Sequence, residues 1–389
     1  MASRDATGRA DAADADGGAP PTLPPALRRG WQVVLLAALV GLPLAWISRH
    51  SLAGWGTVQL PYDLTVFLDA ADDVIAGRTP FPAPAALTGD ANYVYPPLLA
   101  IAMIPLAVLP VAAAVLIWTL LSAAAIAGAL WLLGVRDWRV YGIAVLLVGT
   151  RDSIAAGTVG PLLVLGAAAA WRWRDASPVR AAAGTGLATA LKLFVWPLLL
   201  WLAVTGRVRT ALLALAFGAG AALASWAVVG FDGLGDYPDL LRRLSDLEAE
   251  ESYSVYAVGR SIGLASAPAV VLSVVVGIVL LAYMVWVART SSLLPVERDR
   301  LALTAAVTAS LVLTPILWMH YLVLLLVPLA LARPRLSLLW LVALVPAAVE
   351  VVGWSPAGWP SGDPASLAVV LGSTAIVLVA LLRPSPSTA

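Results

Sequence analysis

The sequence predicts an all-α, polytopic transmembrane protein, and three observations predict it. Hydrophobic residues make up 61% of the 389 and charged residues only 12%, about half the charged fraction of a soluble domain. Apolar runs approaching the length that crosses a bilayer as a helix, about 20 residues, recur along the chain. Arginines gather near one set of run ends, as they do on the cytoplasmic side of membrane proteins. Cysteine is absent, which excludes disulfide and thiol chemistry. A net charge of +1 points away from a nucleic-acid partner.

Residues 1–27, rich in Ala, Asp, Gly and Pro, read as a disordered cytoplasmic tail. Residues 28–383 read as one transmembrane domain, and 384–389 as a second cytoplasmic tail. Arg28-Arg29 precedes the apolar run Trp31–Ile47. A signal peptide has such a flank. This run is long, lacks a clear A-x-A site and is followed by many others, so an uncleaved first span is expected, with its N-terminus in the cytoplasm. A polar loop fills 48–95. Further apolar stretches fall at about 97–109, 111–134, 140–150, 158–174, 181–205, 208–230, 268–289, 301–316, 318–332, 336–352 and 365–382, giving about 11–13 membrane elements.

Arg172, Arg174, Arg180, Arg207, Arg209, Arg289, Arg298, Arg300, Arg333, Arg335 and Arg383 mark the cytoplasmic side. The long loops 48–95 and 231–267 then face outward. Both are acidic, with Asp63, Asp69, Asp72, Asp73 and Asp90 in the first and Asp232, Asp236, Asp239, Asp246, Glu248, Glu250 and Glu251 in the second. Arg136 and Arg139 break the pattern, because two crossings between 97 and 134 put them outside; a re-entrant piece would repair this. Trp31, Trp46, Trp138, Trp171, Trp173, Trp286, Trp354 and Trp359 lie near span ends, the usual aromatic belt. Heptads, a P-loop, a metal-type His/Cys cluster and a nucleophile elbow are all missing.

A few polar residues stand where an apolar chain would not keep them without reason. Leu64, Phe67, Leu68, Ala71, Val74 and Ile75 recur at helical spacing, which predicts an amphipathic helix lying at the membrane surface and ended by Gly77. Asp63 opens it, either as a helix cap or as a carboxylate at the mouth of a cavity. Lys192 is the single lysine and sits inside Leu187–Leu200. A lipid-exposed charge there costs roughly 2.5 kcal/mol or more, so it either snorkels to an interface or meets an anion. Pro315 separates two helices in Thr314-Pro315-Ile316-Leu317-Trp318-Met319-His320-Tyr321. That brings Trp318, His320 and Tyr321 to the outer face, with His320 as a structural residue or a phosphate or sugar contact. Arg260, in an acidic loop, is an ion-pair partner or an anion-binding arginine. Tyr93 and Tyr95 anchor the next span or stand beside sugars and phosphates. Glu350 reads as interfacial.

Several segments carry a resemblance. Tyr62-Asp63 is followed by a helix ending in Ala76-Gly77-Arg78-Thr79-Pro80-Phe81, then by Tyr93-Val94-Tyr95-Pro96-Pro97. Gly157-Thr158-Val159-Gly160, Ala190-Leu191-Lys192-Leu193-Phe194 and Leu313 to Tyr321 come later, in that order. Together they resemble glycosyltransferase family 87, the polyprenyl-phosphate-mannose-dependent α-mannosyltransferases of the GT-C class, which include enzymes that elongate phosphatidylinositol mannosides. The resemblance implies a GT-C fold in a bacterial plasma membrane, with an outward-facing cavity. It implies Asp63 as general base, and a polyprenyl-phosphate hexose whose phosphate lies near Lys192, His320 and Arg260. Tyr62, Tyr95, Trp318 and Tyr321 would be further substrate contacts, and the acceptor a lipid or glycan. Nothing in the sequence demands a metal or other cofactor. The chain departs from the family at Thr158 and Gly160, where Gln and Asn are usual, and at Tyr321, where a second His is usual. Both departures bear on which substrate is used. A transporter or lipid-linked sugar flippase would also carry broken helices and buried charges, but no inverted repeat is evident and the long acidic outer loop suits an enzyme. A non-catalytic membrane scaffold is a third reading.

Overall fold

The computed structural model describes residues 25–56, 59–87, 92–249, 252–347 and 364–384. Most of the expected N-terminal tail and of the C-terminal tail, with Asp90, Glu250, Glu251, Glu350, Trp354 and Trp359, lies outside the described residues. All regular structure among the described residues is helical. In chain order the helices are α1 (Pro25–Leu36), α2 (Leu42–Ser51), α3 (Tyr62–Ile75), α4 (Pro97–Ala107), α5 (Val111–Leu132), α6 (Trp138–Leu146), α7 (Val148–Ala156), α8 (Gly160–Trp173), α9 (Pro178–Leu191), α10 (Pro197–Val204), α11 (Val208–Val228), α12 (Tyr237–Glu248), α13 (Val255–Ser261), α14 (Ser266–Arg289), α15 (Pro295–Leu313), α16 (Leu326–Ala332), α17 (Leu338–Ala343) and α18 (Pro364–Leu381). Among the described residues, four helical stretches are long and apolar enough to cross a membrane: Arg29–Ser51, α5, α11 and α14. The first of them runs through α1 and α2, joined by a π-turn at Ala37–Gly41. Their outer faces carry exposed Val and Leu, such as Val271, Val274 and Ile278 on α14, the surface that lipid covers.

The two ends of the bundle differ in charge. At one end Asp299, at the start of α15, takes Arg174 at 2.9 Å and Arg207 at 2.6 Å, and Arg207 also takes Asp175 at 2.7 Å. Beside it Arg300 pairs with Glu297 at 2.6 Å and donates to the carbonyls of Leu381 and Arg383. These bonds tie α8, α10, α15 and α18 together at a basic end. Helix α15 then climbs through the centre with Leu301 to Leu311 buried. Its hydroxyls turn inward on the helix, Thr304 and Thr308 donating to carbonyls four residues back at 2.8 Å, which satisfies them without water.

Simple alternation fails at Arg136 and Arg139, and the structure corrects it. Asp137 Oδ2 accepts from the Leu336 amide at 3.0 Å, so this loop lies against the 333–337 turn at the basic end. The reason is that α4 is too short to cross alone. It has 11 residues, about 16 Å at 1.5 Å per residue, and it begins beside the opposite end. Helix α5 starts at that same end, where a Cβ on Gly54 would sit 2.3 Å from Ala112 Cα, and descends alone to Arg136. Helices α6 and α7, each nine residues, make the return as one element broken at Leu147.

Helix α9 is held between α8 and α11 by bare backbone. A Cβ on Gly184 would come within 2.8 Å of the Gly166 carbonyl, and one on Gly186 within 2.4 Å of the Ala214 carbonyl; small residues permit this approach in membrane bundles. Helix α9 thus rises from the basic end and stops at Lys192, whose backbone is extended (φ −152°, ψ 110°). Pro197 starts α10, which descends to Arg207. The helix break places the single lysine at the far end of the bundle.

Candidate active site

Opposite the basic end lies a cavity of about 850 Å³, in the size range of small-molecule sites. Six segments distant in sequence form it. The start of α3 supplies Tyr62 and Asp63, the Tyr-Val-Tyr-Pro turn supplies Tyr95, and the middle of α7 supplies Asp152. The α9 break supplies Lys192, and the segment after α15 supplies Trp318, His320 and Tyr321. Helix α12 roofs the space with Leu241, Leu244 and Leu247, and with the carboxylate of Glu248. Tyr237 at its start donates to the Val94 carbonyl at 2.9 Å, which ties the roof to the tyrosine turn.

Asp63 is not a helix cap. The N-cap of α3 is Pro61, no side chain caps the helix, and Asp63 is the second helical residue. The apolar stripe of α3, buried at Leu64, Phe67, Leu68 and Ala71, packs on α4 and α7. Gly157 ends α7 in the left-handed region at φ +73°. A Cβ there would sit 2.7 Å from Leu64 Cβ, and its carbonyl accepts from Trp118 Nε1 at 2.7 Å. The first turn of α3 is therefore seated on this glycine, which fixes the position of Asp63.

Three residues then form a chain. Lys192 Nζ donates to Tyr95 Oη at 2.9 Å, and Tyr95 Oη donates to Asp63 Oδ2 at 3.3 Å. Lys192 also lies 3.9 Å from the centre of the Tyr321 ring, a cation–π contact. Tyr321 stacks on Phe194 at 4.9 Å and 13°. Burial pushes the Asp63 carboxyl above its ordinary range, against the opposing pull of Lys192 and of the Tyr95 hydrogen bond. Burial also raises the Tyr95 phenol well above its usual value, with the Asp63 charge adding to it, so Tyr95 remains a donor.

His320 is buried in the 3-10 stretch Met319–Leu325. Its Nδ1 lies 3.8 Å from Asp152 Oδ2, and its carbonyl accepts from Ser153 Oγ at 3.1 Å. Its Nε2 is buried without a hydrogen-bond partner. The structure does not bring Arg260 to this cavity. Its Nη1 donates to the Leu264 carbonyl at 2.7 Å, and Gly259 beside it packs on Ala269 of α14, so α13 faces α14 instead of the site. Asp152 was not among the residues singled out from sequence, and Glu248 was counted only as loop charge. The signal for Asp152 was its pairing with Arg151 inside an otherwise apolar stretch, the kind of charge that seldom lies there without a partner or a role. Among the described residues no three His, Asp or Glu side chains converge as a metal site.

A helical membrane bundle with a charged, aromatic-lined chamber at one end has the architecture of a membrane-embedded enzyme. The family model for glycosyltransferase family 87 matches residues 93–317, more than half of the chain, and the chain belongs to that family. The protein is therefore a glycosyltransferase, acting between a sugar donor and an acceptor. No curated protein and no solved structure matches the chain. The matched stretch contains Tyr95 and Lys192; Asp63 precedes it and His320 follows it.

Proposed function

We propose that the protein moves a hexose, mannose by the resemblance to polyprenyl-phosphate-mannose-dependent relatives, from a polyprenyl phosphate to a hydroxyl of a lipid or glycan on the outer face of the plasma membrane. One observation carries this reading: a carboxylate and the single lysine share the Tyr95 hydroxyl inside one cavity. The acceptor oxygen attacks the anomeric carbon as its bond to the phosphate oxygen breaks. The acceptor proton passes to Asp63, the electron pair leaves with the polyprenyl phosphate, and the single displacement inverts the anomeric centre. Lys192, with Tyr321 and His320 beside it, offsets the charge that grows on the leaving phosphate; fixed charges in a water-poor site do this most effectively. Tyr62 and Trp318 line the space left for the sugar. The arginine-rich end, opposite the cavity, supports an outward-facing site.

The test is transfer in membranes supplied with labelled polyprenyl-phosphate mannose. Asp63→Ala and Asp63→Asn should each lower the rate by about 10²–10⁴-fold, the usual contribution of a positioned base. Survival of transfer in both variants sinks the assignment. Movement of the labelled donor across the membrane with no glycoside formed would point to a transporter.

A further inference from the structure

We infer that Tyr95 is a positioning residue that reserves one oxygen of Asp63 for the acceptor and couples that oxygen to occupancy of the Lys192 site. The inference rests on the reading of Asp63 as the base. An ammonium has donors only, so in the 2.9 Å contact with Lys192 the Tyr95 oxygen accepts. The one phenolic hydrogen must then go to Asp63 Oδ2 at 3.3 Å. With Lys192 protonated the direction of the chain is fixed, and Oδ1 is the oxygen left to take a proton from an acceptor hydroxyl.

The ring itself is held from several sides. Phe67 meets it edge-on at 5.0 Å and 82°. Tyr93, two residues earlier, donates to the Pro96 carbonyl at 2.6 Å and accepts from the Ala100 amide at 2.9 Å, which locks the turn that carries Tyr95. The backbone that carries Tyr95 is thus fixed at the start of α4, and its ring rests against Phe67.

The coupling follows from the direction of the bonds. A lysine that donates to a phenol polarises it and makes it a stronger donor to the carboxylate beyond. Through Tyr95 this favours the ionised form of Asp63, against the effect of burial. A phosphate that takes Lys192 draws the ammonium away from Tyr95. The bond to Asp63 then weakens, and the carboxylate becomes more basic once the donor is in place. Occupancy of the lysine site thus raises the base strength of Asp63 through one hydroxyl.

Tyr95→Phe keeps the ring and removes the hydroxyl. In the transfer assay it should lower kcat by about 10-fold or more, the scale of a hydrogen bond to a charged group, and change the donor KM by less than about threefold. The acid limb of kcat/KM should move to higher pH, since Asp63 loses a donor. An activity-independent readout is the infrared carbonyl band of protonated Asp63, identified by its loss in Asp63→Asn. Its titration midpoint should rise on adding undecaprenyl phosphate to the wild-type protein, and the rise should shrink in Tyr95→Phe. An infrared midpoint that ignores both the hydroxyl and the lipid phosphate overturns the coupling even if transfer proceeds. A shifting midpoint in a protein that transfers no sugar leaves the coupling standing and removes the proposed reaction. A Tyr95→Phe effect confined to donor KM would make Tyr95 a binding residue and overturn its positioning role.

Discussion

Replacing Lys192 with Met should have two separable effects, both set by where the ammonium sits. Hydrogen bonds of 2.9 Å to Tyr95 and 3.3 Å onward to Asp63 keep Nζ within about 6 Å of Oδ2, where a unit charge pair is worth about 3 kcal/mol at an effective dielectric constant of about 20. At about 1.4 kcal/mol per pH unit, the loss moves the carboxyl upward by at most about two units, less to the extent that water screens the half-buried pair. The sign is fixed by the chemistry. Burial already holds Asp63 above the ordinary carboxylate range, and removing the cation moves it further up, so its ionised form is lost at higher pH. The acid limb of transfer therefore shifts toward neutrality. The second effect falls on the donor. A charge-assisted hydrogen bond to phosphate is worth roughly 1.5–3 kcal/mol, so kcat/KM for the donor should fall by about 10- to 100-fold on the plateau above the acid limb, and the difference should fade in alkaline solution, because burial lowers the Lys192 amine to about 7. The assay is transfer from labelled polyprenyl-phosphate mannose across pH 5–9 (a span chosen to bracket about two units on either side of neutral), with detergent melting curves to confirm the fold. An unchanged acid limb would show that Lys192 does not act on Asp63, and an unchanged kcat/KM on the plateau above that limb would show that it does not hold the phosphate.

Two further outcomes test the frame that carries these residues. Gly157→Ala should destabilise the protein by about 1–3 kcal/mol, since its left-handed backbone (φ +73°) rejects a Cβ and the added atom meets Leu64. A lower melting temperature in detergent with reduced kcat is expected, and unchanged values for both would show that α3 is not seated there. Asp299→Asn breaks the pairs with Arg174 and Arg207 and should cost about 3 kcal/mol, as the loss of one partner in a buried ion pair does. Because it lies at the far end of the bundle, donor KM should stay within about twofold in an intact sample; a changed KM with unchanged melting would contradict that placement.

The contrast between Arg260 and Asp152 shows where sequence ceases to inform. Both are charged residues near apolar surroundings, and neither carries a local mark of its destination. One bonds the Leu264 carbonyl beside its own helix, and the other comes within 3.8 Å of His320, far along the chain. Helical class and span composition were readable because periodicity and hydropathy are local properties. The crossing of individual helices was not, since α4 turns back for reasons of packing against α3, and its 11 residues look as apolar as a span. Lys192 was conspicuous because burial of a charge is costly wherever the chain goes. Asp63 was ambiguous for the opposite reason: a carboxylate at a helix start has a favourable local use. What sets Asp63 apart from an ordinary helix-start carboxylate is the approach of Tyr95, 32 residues away, and of Lys192, 97 residues beyond that. Each of the three stands where a helix begins or breaks, and those interruptions were legible. A helix in lipid satisfies its own backbone bonds, so an interruption needs protein or a cavity to receive it. Three interruptions meeting at one end of a bundle are therefore stronger grounds for a site than any of the three residues alone.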